Sequence, residues 1–202
     1  MEKSIKDGFL AKWKKYFNGA ELPITFYYTD ETGRAGMAPR STGHRCIIAD
    51  LSQVRGGKPV CFDVDTIGCM GGKRFKAPGH FIVFKRWDQL DETDQPQVVI
   101  FFARPDMLAG LFTLANFDQE DPNGVIAPFG SGCSSIVYHP FAQLQSSRPK
   151  PVIGMFDVSA RPHVAKDELT FSVPMARFRT MIDYMDESFL ITGSWKKIQK
   201  RI

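Results

Sequence analysis

The sequence predicts a mixed α/β fold, a sheet with flanking helices in a single compact domain over residues 1–202. Three observations point there. The run Val98-Val99-Ile100-Phe101-Phe102 is apolar without interruption and of strand length, as expected of a central strand buried on both faces. Apolar residues recur at helical spacing in other segments, and short β-rich stretches are set off by glycine and proline. With 43% hydrophobic residues, a chain of 202 residues can bury one sizeable core.

Taken in order, Ile5, Phe9, Trp13 and Phe17 recur at every fourth position between lysines. They predict an amphipathic helix over residues 4–18, stopped by Gly19 and packing on the α/β core. Leu22, Ile24, Phe26 and Tyr28 alternate as a strand. Residues 29–43 carry three glycines and a proline among polar residues, the composition of a long loop. Residues 45–55 place Ile47, Ile48, Leu51 and Val54 at helical spacing before the Gly56-Gly57 stop. Pro59–Val64 reads as a short strand, and Phe81–Phe84 as strand or helix. After the central strand Gln97–Ala103, Pro105 opens a helix striped by Met107, Leu108, Leu111, Phe112 and Ala115. Val125–Ala127 forms a further extended piece, so that strand, helix and extended piece suggest a crossover unit and a partly parallel sheet. A helix begins near Cys133 and is shortened or bent by Pro140. Pro151–Phe156 and Leu169–Val173 read as strands, and Met175–Phe189 as a final helix with Phe178, Met181, Ile182 and Met185 inward.

Charge excludes more than it assigns. Lys and Arg number 26 against 22 Asp and Glu, so the net charge of +4 gives no electrostatic case for nucleic acid. Lys12, Lys14 and Lys15, and Lys196, Lys197, Lys200 and Arg201, read as solvated helix faces. The N-terminus lacks the apolar stretch of a secretory signal, and no apolar run approaches membrane-spanning length. No membrane insertion is expected. Four cysteines are too few for a disulfide scaffold in a chain of this length, which makes the cytoplasm the default compartment.

Chemistry concentrates in three segments: His44-Arg45-Cys46, Gly68-Cys69-Met70-Gly71-Gly72-Lys73-Arg74 and Gly130-Ser131-Gly132-Cys133-Ser134-Ser135. Each places a cysteine at a loop-to-helix junction or in a glycine turn, where backbone N–H groups favour a thiolate as nucleophile or metal ligand. For a lone cysteine the bland reading is an inert buried thiol, and Cys61, alternating within Val60-Cys61-Phe62, fits that reading best. Taken together, Cys46, Cys69 and Cys133 favour a converging site with Gly71, Gly72 and Gly132 around it. No C-x-x-C pair is present, so a metal rests on convergence in space. Three thiolates would hold an iron–sulfur cluster with one iron left open or ligated by a fourth group. Zinc would recruit a fourth ligand, His44 or Cys61. His80, His139 and His163 read as surface or satisfied histidines. Other templates fail: the first glycine of a phosphate loop would fall at Ile67, and Ser135 stands where a dinucleotide fingerprint needs its third glycine.

Read with the Phe171-Ser172-Val173-Pro174 strand end and the final helix, the three cysteine segments resemble the domain of unknown function 169 family. The resemblance implies cysteines at the positions of Cys46, Cys69 and Cys133. It also implies a Gly-Cys pair in the last third, where this chain has Gly154-Met155 and no cysteine. Arg161 keeps the matching charged position and is a candidate to face an anion or a negatively charged cluster. Three functions stand side by side. The first is a cysteine-centred metal or iron–sulfur protein working in redox or electron transfer with a partner protein. The second is a metal-free module with a reactive cysteine that binds an anionic small molecule through Arg45, Lys73, Arg74 and Arg161. The third is a protein-interaction domain. No reaction is assigned.

Overall fold

A computed structural model describes residues 1–31, 46–67 and 77–202. Among these, β1 (Ile24–Thr29), β2 (Val60–Asp63), β3 (Phe81–Arg86), β4 (Val98–Ala103), β5 (Val152–Gly154) and β6 (Leu169–Pro174) form one sheet in the order β2-β3-β1-β4-β6-β5. Each strand pairing is antiparallel, which corrects the expectation of a partly parallel sheet. The physical reason is that an unbroken apolar run reports burial on two faces, and an antiparallel strand covered on both sides meets that condition as well as a parallel one. The crossover after β4 exists in reduced form. The chain passes through α3 (Pro105–Asn116) and returns at Ile126, which bridges Val152 in parallel as a single pair rather than a strand.

Helices cover both faces of the sheet. On one lie α1 (Lys3–Tyr16), α3, α5 (Met175–Tyr184) and α6 (Gly193–Gln199), which bury Phe9, Trp13, Leu111, Phe178 and Trp195 against Val99, Phe101 and Phe171 of the strands. Each such side chain taken from water stabilises the fold by about 1.5–3 kcal/mol. The expected final helix ends at Tyr184 and is not the last. Ser188 accepts from the Leu190 N–H to open a short 3-10 turn, and Thr192 accepts from the Trp195 N–H to start α6. Trp195 is buried while Lys196, Lys197, Lys200 and Arg201 are exposed, which makes this the solvated basic face the sequence predicts. The buried Arg177 of α5 donates to Asp118 at 2.7 Å and to the Ala115 carbonyl at 2.7 Å, fastening α5 to the end of α3.

The opposite face carries α2 (Ile47–Arg55), a π-helical turn (Ser134–Tyr138) and α4 (His139–Ala142). Ile47, Ile48, Leu51 and Val54 of α2 pack on Phe26, Phe62, Phe84 and Ile100, with Ile136 and Val137 beside them. The helix expected near Cys133 is therefore present, but in wide π form. The His139 N–H reaches back to the Ser134 carbonyl, and Pro140 next to it has no N–H with which to continue an α-helical ladder. No described helix is long and apolar enough to cross a membrane.

Candidate functional site

Cys46 is the residue that opens α2, held extended at φ −85° and ψ 107°. The far end of that helix is fixed by Arg55, whose guanidinium donates to Glu21 at 2.6 and 2.7 Å and to Glu168 at 2.9 and 3.1 Å while lying over the Phe102 ring. Anchored at its C-terminus, α2 presents its first turn, and Cys46, to the segment that carries Cys133.

That segment is shaped by its small residues. The Ser131 hydroxyl accepts from the Ser134 N–H at 3.2 Å, and the Ser131 carbonyl accepts from the Ser135 N–H at 3.0 Å, so the π turn starts immediately around Cys133. Gly132 has no room for a side chain: a Cβ there would collide with Ile48 Cδ1 of α2 and stand 2.5 Å from Ala160 Cβ. Its N–H donates to Asp157 Oδ2 at 3.2 Å. The missing side chain thus lets the turn before Cys133 lie directly on α2.

The result is a contact between two cysteines far apart in the chain. Cys133 is buried, Cys46 is half-buried, and the Cys133 thiol hydrogen-bonds the Cys46 sulfur. That bond is the main reason the Cys46 thiol is pulled down to about 5 from an ordinary value of 9.0. Partial burial opposes the shift, while the Ile48 and Ala49 amides at the start of α2 and the nearby charge of His163 assist it. The shift favours the thiolate form of Cys46 at neutral pH. Cys61 is different in kind: burial, and secondarily Asp63, push its thiol up to about 11.

Beside the pair, Met155 is buried with a left-handed φ of 71°, unusual for a residue with a side chain. Its N–H donates to Ser135 Oγ at 3.2 Å, and that hydroxyl donates to the Gly132 carbonyl at 2.7 Å. One serine therefore ties the strained turn after β5 to the turn before Cys133. The same two loops carry Phe129, Phe156 and Val158, all well exposed to solvent.

Of the sequence candidates, the structure brings together Cys46, Cys133 and Gly132. Cys61 is a correction: in β2 it pairs with Val83 and packs with Tyr27 on the other face of the sheet, so it cannot serve as a fourth ligand to the pair. Strand alternation forces this, since Val60 and Phe62 on either side of it pack on the cysteine face. Arg161 has other work than facing an anion. Its guanidinium donates to the carbonyls of Glu168, Ala165 and Lys166, closing the loop that holds His163. Cys69, Gly71, Gly72, His44, Arg45, Lys73 and Arg74, with most of the loop expected at 29–43, lie outside the described residues. His80 pairs with Asp30 at 2.7 Å. The contributions of His163 and Met155 were not visible in the sequence, because neither stands at a spacing that signals a partner. Among the described residues no group of three or more His, Cys, Asp or Glu side chains forms a metal site. A hollow of about 530 Å³ lies elsewhere, beyond the end of β4, and its charged side chains are already paired, Arg104 with Asp167, Arg201 with Asp106, and Glu21 and Glu168 with Arg55.

An antiparallel sheet with helices on both faces, one of them bearing a paired-thiol centre, is the class of protein these observations define. The family described as Uncharacterised ArCR, domain of unknown function 169, matches residues 73–184, more than half of the chain, and the protein belongs to that family. The matched span includes Gly132, Cys133, Met155 and Arg161 and begins beyond Cys46 and Cys69. No curated protein and no solved structure matches the chain.

Proposed function

We propose that this protein works through thiol chemistry at a two-cysteine centre, with the Cys46 thiolate as the working group and Cys133 as its support. The observation that carries the reading is the hydrogen bond from the buried Cys133 thiol to Cys46 at the first turn of α2. A thiolate so placed is an effective nucleophile or soft-metal ligand at neutral pH, whereas Cys61 is neither. The test is the rate of alkylation of Cys46 by iodoacetamide across pH 4–10, followed by peptide mass. An inflection near pH 5 is expected in the wild type. In Cys133→Ser it should move upward towards the ordinary value. A wild-type inflection at the ordinary cysteine value would sink the reading.

A second reading keeps the metal. Two thiols already in contact are half of a four-sulfur ligand set, and Cys69 stands two positions along the chain from Ile67, which packs in the same cluster as the pair. On this reading Cys46, Cys69 and Cys133 hold an iron–sulfur cluster, or zinc, and a redox partner protein exchanges electrons with it. Iron and acid-labile sulfide, with the visible spectrum of protein purified without oxygen, decide the matter. A brown protein that loses its colour in Cys69→Ser supports the cluster; a colourless, metal-free one leaves the thiol. The anion-binding version is the weaker, because Arg161 is committed to three backbone carbonyls.

A further inference from the structure

Two features of the pair go beyond the presence of a reactive thiolate. The first is contact: the side chains of Cys46 and Cys133 meet directly, although only tertiary packing brings them together, and Gly132 lets their two segments approach closely. The second is asymmetry, since Cys46 is open to solvent in part and Cys133 is 1% exposed. A reagent in solution reaches the first sulfur and not the second. Contact together with unequal access is the arrangement of an attacking and a resolving thiol.

We propose that Cys46 and Cys133 form a reversible intramolecular disulfide by exchange with small-molecule disulfides, Cys46 attacking and Cys133 resolving. This deepens the thiol reading above and rests on it. In the first step the Cys46 thiolate attacks one sulfur of the disulfide R–S–S–R. A Cys46–S–S–R bond forms, the R–S–S–R bond breaks, and one thiolate RS⁻ leaves. In the second, the Cys133 thiol gives its proton to that departing thiolate, making RSH, and its sulfur attacks Cys46 Sγ. The Cys46–Cys133 bond forms, the Cys46–S–S–R bond breaks, and the second RS⁻ departs. The pair, one thiolate and one thiol, loses two electrons to the substrate disulfide, which leaves as one RSH and one RS⁻, so that protons and charge balance. The reverse sequence, driven by excess RSH, restores the pair.

Cys61 provides an internal reference, being buried in the other face without a sulfur neighbour in its cluster. The experiment treats the reduced full-length chain with oxidised glutathione without oxygen, quenches by acid, alkylates the remaining thiols and maps the peptides by mass. The expected product links the Cys46 and Cys133 peptides, with Cys61 alkylated. Cys133→Ser should stop at the glutathione adduct on Cys46, and Cys46→Ser should slow all modification of Cys133 by about tenfold or more. A wild-type Cys46 that takes up glutathione rapidly but keeps it, or that links to Cys69 instead, overturns the disulfide while leaving the thiol reading intact. A Cys46 that reacts no faster than free cysteine removes both. The wild-type map alone separates these outcomes, so the inference does not depend on either variant folding.

Discussion

On the aromatic face of the sheet, Phe9 packs edge-on against Trp87 and Phe178 with centroids 4.9 and 5.1 Å apart, Trp13 stacks on Phe17 at 4.3 Å, and Phe17 meets Trp195 at 5.0 Å. The cysteine face is built otherwise. It includes a π turn, a left-handed methionine, a glycine pressed between two segments, and two buried hydroxyls, Thr170 Oγ1 and Ser172 Oγ, without a hydrogen-bond partner among the described residues. Each such hydroxyl costs about 1–3 kcal/mol relative to a satisfied one. The first face contributes stability and little chemistry. The second carries local strain and holds the thiolate, in keeping with the tendency of strained backbone to gather at functional sites. Five substitutions test whether that division of labour is real.

The largest effect is expected from Phe101→Ala, which empties the centre of the aromatic face where Phe9, Trp13 and Phe178 meet. It should cost about 3–5 kcal/mol in chemical denaturation and leave the pH profile of Cys46 alkylation in the folded protein unchanged. A matched glycine pair comes next. A Cβ at Gly110 would strike the Trp195 ring, and one at Gly132 would strike Ile48 and Ala160. Alanine at either position should cost about 1–3 kcal/mol through overpacking. Only Gly132→Ala should also raise the Cys46 inflection, because only there does the intruding methyl separate α2 from the Cys133 segment. Equal effects of the two on Cys46 would dissolve the comparison.

The pH dependence that Cys46 gives the fold is a separate test. Its pKa is about 5 folded against an ordinary 9.0, so the unfolded chain binds the extra proton between those values. Stability from this group is full above pH 9, declines as pH falls, and is lost through pH 5. Denaturation midpoints of wild type and Cys46→Ser at pH 5 and pH 8 should show a pH-linked gain in the wild type only. Last, Cys61→Ala should cost about 1 kcal/mol by truncating a small buried side chain. It should change neither alkylation of Cys46 nor its disulfide chemistry.

The same contrast governs what the sequence discloses. Periodicity and punctuation carry the aromatic face: every fourth residue from Ile5 locates α1, Pro105 marks the start of α3, and the Phe178–Met185 stripe places the buried side of α5. Strand direction is not written there, because β4 buries both faces whether its neighbours run parallel or antiparallel. On the cysteine face, a loop-to-helix junction marked Cys46 and a glycine turn marked Cys133 as candidates for one converging site. Alternation within Val60-Cys61-Phe62 already implied that Cys61 faces away from Val60 and Phe62. Which face holds the pair depends on strand pairing, and that is a long-range property. His163 and Met155 were illegible for the same reason: each reaches the site through a loop closed by hydrogen bonds, from Arg161 in one case and Ser135 in the other, and neither closure leaves a periodic trace.

The long chain separation between Cys46 and Cys133 has a consequence in time. Synthesis releases Cys46 well before Cys133 exists, and a domain completes its long-range contacts only once the later segments arrive. Until then Cys46 has neither its partner thiol nor an anchored helix, and it is an ordinary, protonated cysteine at neutral pH. On the thiol reading proposed above, the growing chain is thereby shielded from its own chemistry: the sulfur becomes reactive only when the protein around it is finished, and any partial opening that parts α2 from the Cys133 turn returns it to quiescence.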